Sequence, residues 1–66
     1  MADTMLEGKW KQIRGKVQET WAKLTNDDLD RISGEWDQLV GTLQEKYGYT
    51  KKRAESELAK FLDNLG

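Results

Sequence analysis

The sequence predicts an all-α fold, a small four-helix bundle whose second helix is short, in a single domain over residues 1–66. Three observations predict this fold. Apolar residues recur at spacings of three and four, which is the periodicity of one helix face. Thr residues stand where helix N-caps are expected, and a Gly stands where a helix would end. No segment alternates apolar and polar residues with the period of two that is typical of a strand.

The first helix is predicted over about residues 5–23, because one apolar face continues through it. That face consists of Leu6, Trp10, Ile13, Val17, Trp21 and Leu24. A second, short helix is predicted to begin after Thr25, which can cap the free N–H groups. Asp28 stands at the position that completes a capping box. This helix carries Leu29 and Ile32.

A break or kink is predicted at Ser33-Gly34, before a third helix. The third helix carries Trp36, Leu39, Val40, Leu43 and Tyr47 and is predicted to stop at Gly48. Thr50 can cap a fourth helix, which carries Ala54, Leu58, Phe61, Leu62 and Leu65. The predicted core combines residues of all four helices: Trp10, Ile13, Val17, Trp21, Leu29, Ile32, Trp36, Leu39, Leu43, Tyr47, Leu58, Phe61 and Leu62.

The composition removes several kinds of chemistry. The chain has no Cys and no His, which excludes disulfides, thiolate nucleophiles and the commonest general base. No calcium-binding loop pattern is present either. With these residue types and this pattern missing, we predict no metal site, no catalytic residue and no cofactor. The paired carboxylates of Asp27 and Asp28 are explained by helix capping and the helix dipole. We therefore expect that the protein is not an enzyme.

An internal repeat appears when the chain is aligned with itself at an offset of 26. The segment GKWKQIRGKVQETW, residues 8–21, matches GEWDQLVGTLQEKY, residues 34–47, without a gap. Gly, Trp and Gln recur at equal positions, and apolar residues match in kind. Two units are too few for a solenoid. The repeat predicts two similar helices in one bundle, each followed by a capped turn.

The repeated glycines are unusual, because each Gly inside a helix costs about 1 kcal/mol relative to Ala. Gly8 and Gly15 lie opposite the apolar face of the first helix. Gly34 and Gly41 lie opposite the apolar face of the third helix in the same way. Three interpretations remain open. The glycines mark kinks or frayed helix ends, they form a small-residue contact face that another backbone approaches, or they keep the domain's stability low.

The sequence resembles the CsbD-like family of small bacterial general-stress proteins over roughly residues 4–62. The two repeat segments, LTNDDL at residues 24–29 and the Tyr-Gly-Tyr junction at 47–49 carry the resemblance. It implies a bundle of two crossed α-hairpins, of the SAM-domain-like kind. It also implies a cytoplasmic bacterial protein whose expression rises under stress. The family has no established biochemical activity, so it supplies no functional residues.

The first function that we expect is therefore a non-catalytic general-stress-response protein that acts by binding or protection. The alternative is a weak nucleic-acid-binding module. Gly48-Tyr49-Thr50, followed by Ala54, partly resembles a helix-hairpin-helix turn, in which backbone N–H groups bind a phosphate. Thr50 replaces the second Gly of that motif. The residues predicted to contact nucleic acid are Gly48, Thr50, Lys51, Lys52 and Arg53.

Net charge and hydropathy limit the partners. There are 11 basic and 12 acidic residues, for a net charge of −1, which is unlike a strongly basic nucleic-acid binder. No apolar segment is long enough to cross a bilayer, and no signal peptide is recognisable. We expect a cytoplasmic monomer without a membrane partner. Nucleic acid and another protein remain the candidate partners.

Overall fold

The computed structural model describes residues 2–65, with side chains from residue 6 onward, and these residues form four helices. The helices are α1 (Ala2–Thr20), α2 (Asn26–Ile32), α3 (Trp36–Tyr47) and α4 (Lys51–Leu65). The described part of the chain contains no strand. The predicted all-α bundle with a short second helix is confirmed. Met1 and Gly66 of the predicted domain lie outside the described residues.

Helix α3 is the central element, because it contacts each of the other three helices. One cluster of buried apolar side chains joins them: Leu6, Trp10, Ile13, Val17, Trp21, Leu24, Leu29, Ile32, Leu39, Val40, Leu43, Ala54 and Leu58. All of α1, α2, α3 and α4 contribute to it. None of the described helices is long and apolar enough to span a membrane.

Helix α1 ends at Thr20, three residues before the predicted end. The N–H of Trp21 still donates to the Val17 carbonyl at 2.8 Å. The N–H of Lys23 instead donates to the Tyr47 hydroxyl at 3.1 Å, so a contact with α3 replaces the helical hydrogen bond that it would make to the Glu19 carbonyl. Leu24 N–H closes a tighter turn on the Trp21 carbonyl at 3.0 Å, and this turn directs the Leu24 side chain into the core.

Helix α2 begins with the predicted capping box. Thr25 Oγ1 accepts the N–H of Asp28 at 3.1 Å, and Asp28 Oδ2 accepts the N–H of Thr25 at 3.0 Å. Leu29 and Ile32 are fully buried beneath this short helix. A helix of 7 residues is too short to be stable by itself, so its cap and its packing on the core hold it in place.

Helix α2 ends at the predicted break. Ser33 adopts the left-handed conformation at φ 50°, and Gly34 follows at φ 82°. The Glu35 N–H then donates to the Ile32 carbonyl at 2.9 Å, which closes the turn before α3. Gly34 therefore precedes α3 and lies at the predicted break between the two helices. Its positive φ is a conformation that Gly adopts readily.

Four side chains of the predicted core are only half-buried, namely Trp36, Tyr47, Phe61 and Leu62, although all four pack against the buried cluster. Four others are buried beyond the predicted set: Leu6, Leu24, Val40 and Ala54. Phe61 lies beside an open groove of about 530 Å³, which it lines together with Trp21 and Leu65. Because no other helix of the described residues covers this groove, the end of α4 is partly exposed.

Candidate functional site

The turn between α3 and α4 carries the residues predicted to contact nucleic acid. Gly48 takes φ 70°, and its N–H donates to the Gln44 carbonyl at 2.9 Å, so it ends α3 as predicted. Thr50 Oγ1 accepts the N–H of Arg53 at 3.1 Å, so it caps α4 as predicted. Both groups therefore serve the fold. This cap also removes the Arg53 N–H from the donors that a phosphate would need in a helix-hairpin-helix mode.

All five predicted contact residues at this turn are exposed: Gly48, Thr50, Lys51, Lys52 and Arg53. The first turn of α4 contains no acidic residue. Three consecutive cationic residues thus lie exposed in the first turn of α4, which contains no carboxylate. Whether nucleic acid binds there stays a prediction.

Two tyrosines flank Gly48, and their rings stack on each other. The centroids of Tyr47 and Tyr49 are 5.5 Å apart, with 25° between the ring planes. The guanidinium carbon of Arg53 lies 4.5 Å from the Tyr49 centroid. Lys23 Nζ lies 5.1 Å from the Tyr47 centroid. We call Lys23, Tyr47, Tyr49 and Arg53 the tyrosine–cation cluster.

Three members of this cluster, Lys23, Tyr47 and Tyr49, were not among the predicted contact residues, and Lys23 is the most distant of them along the chain. It lies 24 residues before Tyr47, in the turn after α1, and only the packing of α1 against α3 brings it there. Its backbone and its side chain both contact Tyr47. The internal repeat contained a signal for the end of α1. It aligns Trp21 with Tyr47, the last residue of α3, and so indicates that the two helices end at equivalent positions.

The positive charge of this region is not neutralised by ion pairs. Of the 11 basic residues, four make ion pairs in the described chain, namely Arg14, Lys16, Arg31 and Lys46. No described carboxylate pairs with Lys23, Lys51, Lys52 or Arg53. Three of these cations, Lys51, Lys52 and Arg53, are consecutive in the sequence, and the fold adds Lys23 through its contact with Tyr47.

The four repeated glycines fall into two groups. Gly8, Gly15 and Gly41 are exposed in helices, and a Cβ added to any of them would meet nothing within 4 Å. A Cβ on Gly34 would lie 2.9 Å from the Glu7 Cα and 3.0 Å from the Trp10 Cβ. The fold therefore requires a glycine at position 34, whereas positions 8, 15 and 41 have room for a larger side chain. A contact face for a partner at Gly8, Gly15 and Gly41 stays a prediction.

Asp28 is the most connected charged residue, and its side chain is 8% exposed. Besides the capping bond, it pairs with Arg31 through Oδ1 at 3.0 Å and with Lys46 through Oδ2 at 3.4 Å. The Thr25 backbone N–H lowers the pKa of Asp28 most strongly, and the Thr25 hydroxyl and Lys46 lower it further against the opposing effect of burial. The Lys46 pair joins α2 to α3, so this carboxylate has a structural role.

The arrangement at Asp28 is unlike that of a catalytic acid. A carboxyl group that donates a proton near neutral pH needs a raised pKa, whereas the pKa of Asp28 is lowered. Both of its oxygens are already engaged by donors within the chain. Among the described residues, no group of three or more potential ligands is arranged to hold a metal ion.

Comparison with known proteins identifies the family. A family model described as CsbD-like matches residues 4–56, which is most of the chain. The chain belongs to the CsbD-like family. The resemblance predicted from the repeat segments and the Tyr-Gly-Tyr junction is thereby confirmed. In this CsbD-like chain, that junction is the segment that ends α3 and stacks the two tyrosines.

Several bacterial proteins are similar over most of their length. The UPF0337 protein PA4738 of Pseudomonas aeruginosa is 49% identical over 65 residues, which cover 98% of this chain and 100% of the relative. The UPF0337 protein YjbJ of Escherichia coli K12 is 59% identical over 51 residues, or 77% of this chain and 74% of the relative. The UPF0337 protein ECA0631 of Pectobacterium atrosepticum is 54% identical over 57 residues, covering 86% and 83%.

Proposed function

We propose that this CsbD-like chain is a non-catalytic general-stress-response protein that acts by binding or protection, as a monomer in the bacterial cytoplasm. Membership of the CsbD-like family supports the stress role. The engaged oxygens and lowered pKa of Asp28 support a non-catalytic role, because they suit a helix cap better than proton transfer.

The observation that carries the proposal is the set of exposed helix glycines. Gly8, Gly15 and Gly41 have open space around them and helical rather than left-handed backbone. Ala at each position would stabilise the helix by about 0.5–1 kcal/mol. A domain of this size has marginal stability, so glycine there lowers the stability without helping the fold. Low stability suits a protein that becomes fully ordered only when it binds a partner. Glycine backbone without a side chain suits a partner that packs closely against the helix.

The test replaces these glycines and measures both stability and function. A strain that lacks the gene is exposed to osmotic, oxidative and starvation stress, and the parent gene or the Gly8→Ala/Gly15→Ala/Gly41→Ala gene is returned to it. The parent should restore survival. The stabilised variant should unfold at higher urea and restore survival poorly. Gln12→Ala/Gln38→Ala, which changes exposed residues of the same helices, is the matched control.

Two outcomes would contradict the proposal. Normal survival of the deletion strain under all three stresses would remove the stress role. Full rescue by the stabilised triple variant would show that the open glycines have no part in the function, and the proposal would lose the observation on which it rests. Circular dichroism on all variants ensures that survival is compared between folded proteins.

A second candidate function is nucleic-acid binding at the turn of residues 48–54. The observation that favours it is the exposure of Lys51, Lys52 and Arg53 beside an α4 first turn without an acidic residue. Charge reversal, Lys51→Glu/Lys52→Glu/Arg53→Glu, should abolish binding of a DNA duplex at low salt. Equal binding by the reversed and parent proteins would remove this candidate.

A further inference from the structure

We propose that the tyrosine–cation cluster, together with Lys51 and Lys52, is a binding surface for single-stranded nucleic acid. The inference rests on the proposed function, since it names the partner of a protein that acts by binding. Its basis is the tertiary arrangement of side chains, namely a cation from the turn after α1 placed beside two tyrosines and a cation of α4.

The cluster holds its cationic groups in place before any partner arrives. The inner faces of Tyr47 and Tyr49 cover each other, so the cations that lie over the rings occupy the outer faces. The backbone of Lys23, from which this side chain extends, is fixed by its N–H, which donates to the Tyr47 hydroxyl. Arg53 is held over Tyr49 at 4.5 Å. Binding then costs less side-chain entropy than it would with mobile surface lysines.

The chemistry of this surface suits an unpaired strand. The Arg53 guanidinium lies over Tyr49, and the residue is otherwise exposed. A guanidinium offers a flat surface on which a base can stack, and unpaired bases are accessible in single strands. Lys23, Lys51 and Lys52 are cations that can neutralise the adjoining phosphates. These lysines and Arg53 make no ion pair in the described chain, so a phosphate displaces no carboxylate.

An anionic membrane fits this surface less well. Binding in a bilayer interface requires exposed apolar side chains beside the cations. Here the side chains between the cations are the two half-buried tyrosines. The exposed large apolar residue of the described chain is Leu65, which lies at the other end of α4.

The experiment measures fluorescence anisotropy of a labelled oligo-dT strand of about 16 nucleotides, the upper site size of one small single-strand-binding fold. The protein is the whole chain, at low and at physiological salt. A duplex of the same length and vesicles of mixed neutral and anionic lipid are measured in parallel. The single strand should bind most tightly, with an affinity that falls as salt rises.

Two double variants locate the surface. Lys23→Gln/Arg53→Gln should weaken single-strand binding about tenfold and reduce the salt slope by about 1 for each phosphate that no longer faces a cation. Lys9→Gln/Lys11→Gln removes the same charge from α1 residues that are exposed and unpaired in the described chain. It should change binding less than about twofold, the effect expected of long-range charge alone. Lys51→Gln/Lys52→Gln should also weaken single-strand binding, and it leaves the tyrosine–cation cluster unchanged. This variant tests the surface if Lys23→Gln/Arg53→Gln does not fold.

Several results would overturn the inference. These are no binding at low salt, equal loss in the Lys9→Gln/Lys11→Gln control, or equal affinity for the duplex or the anionic vesicles. The survival assay keeps this failure separate from failure of the proposed function. If Lys23→Gln/Arg53→Gln restores survival fully, the surface is not needed and the stress role stands. If the deletion has no phenotype, the stress role fails whatever the strand binds.

Discussion

Gly34 packs directly against the backbone of Glu7. A Cβ on Gly34 would lie 2.9 Å from the Glu7 Cα, closer than real Cβ atoms approach another carbon. The turn between α2 and α3 is thus fitted onto the first half of α1. This packing fixes where α3 begins relative to α1, and it uses a glycine that is also in the left-handed region, at φ 82°.

Replacement of Gly34 by Ala should destabilise the domain strongly. The added methyl group overlaps Glu7 and Trp10, and the left-handed backbone strains any L side chain, so we expect a loss of about 2–4 kcal/mol. Urea unfolding measures it. Gly8→Ala, at the equivalent position of the repeat, should instead raise stability by about 0.5–1 kcal/mol, because space around it is open. Equal effects at both positions would contradict the described packing.

Asp28 should make the domain sensitive to acid. Because the pKa of Asp28 is lower in the folded than in the unfolded state, its contribution to stability is present above the unfolded pKa of about 3.9. It is lost as pH falls through the lowered folded pKa. Urea unfolding of the parent and of Asp28→Asn, compared from neutral pH downward, should show the difference between them shrinking below about pH 4. A constant difference across this range would argue against the hydrogen bonds from Thr25 and the Lys46 contact that lower the pKa of Asp28.

The Tyr47 hydroxyl should contribute to stability, because it accepts the Lys23 N–H at 3.1 Å. Tyr47→Phe leaves that backbone donor without its acceptor, which should cost about 0.5–1.5 kcal/mol. The matched control is Tyr49→Phe, which removes a hydroxyl that makes no hydrogen bond with the described residues. It should be nearly neutral. Thermal unfolding by circular dichroism measures both, and a larger loss for Tyr49→Phe would be the contrary result.

Helix α4 offers a matched pair of leucines for the core. Leu58 is fully buried, whereas Leu65 is 39% exposed. Leu58→Ala should cost about 2–5 kcal/mol, which is enough to unfold a small domain under ordinary conditions. Leu65→Ala should cost less than about 1 kcal/mol. Dispersion of amide NMR signals reports the outcome, and a well-dispersed spectrum for Leu58→Ala would contradict the placement of α4 on the core.

Much of the local structure could be predicted from the sequence because it depends on neighbouring residues. The capping box of Thr25 and Asp28 uses residues three apart, so its pattern is visible in the chain. The stop at Gly48 and the cap at Thr50 are equally local. The buried face of α1 follows from helical periodicity alone. The core residues that sequence reasoning missed, such as Leu6 and Leu24, stand at the ends of that same face.

The end of α1 and the environment of Gly34 could not be predicted in this way. The N–H of Lys23 is bound by Tyr47, a residue 24 positions away, so local pattern extends the helix too far. Gly8 and Gly34 are identical in the repeat, yet one faces open space and the other meets α1. Repeated sequence segments share the same local helix and turn preferences. Their packing differs because each segment faces a different part of the bundle.

The helical class, the caps, the absence of Cys and His chemistry and the family all follow from the order of residues along the chain. These features depend on composition, periodicity and short-range spacing, which the chain carries before it folds. The neighbours across the bundle, and with them the tyrosine–cation cluster, follow from the packing of the helices. Lys23 and Arg53 lie beside stacked tyrosines because α1 and α4 both pack on α3. Contacts between residues distant in sequence arise from the shared burial of apolar faces, and residue spacing does not specify how those faces meet.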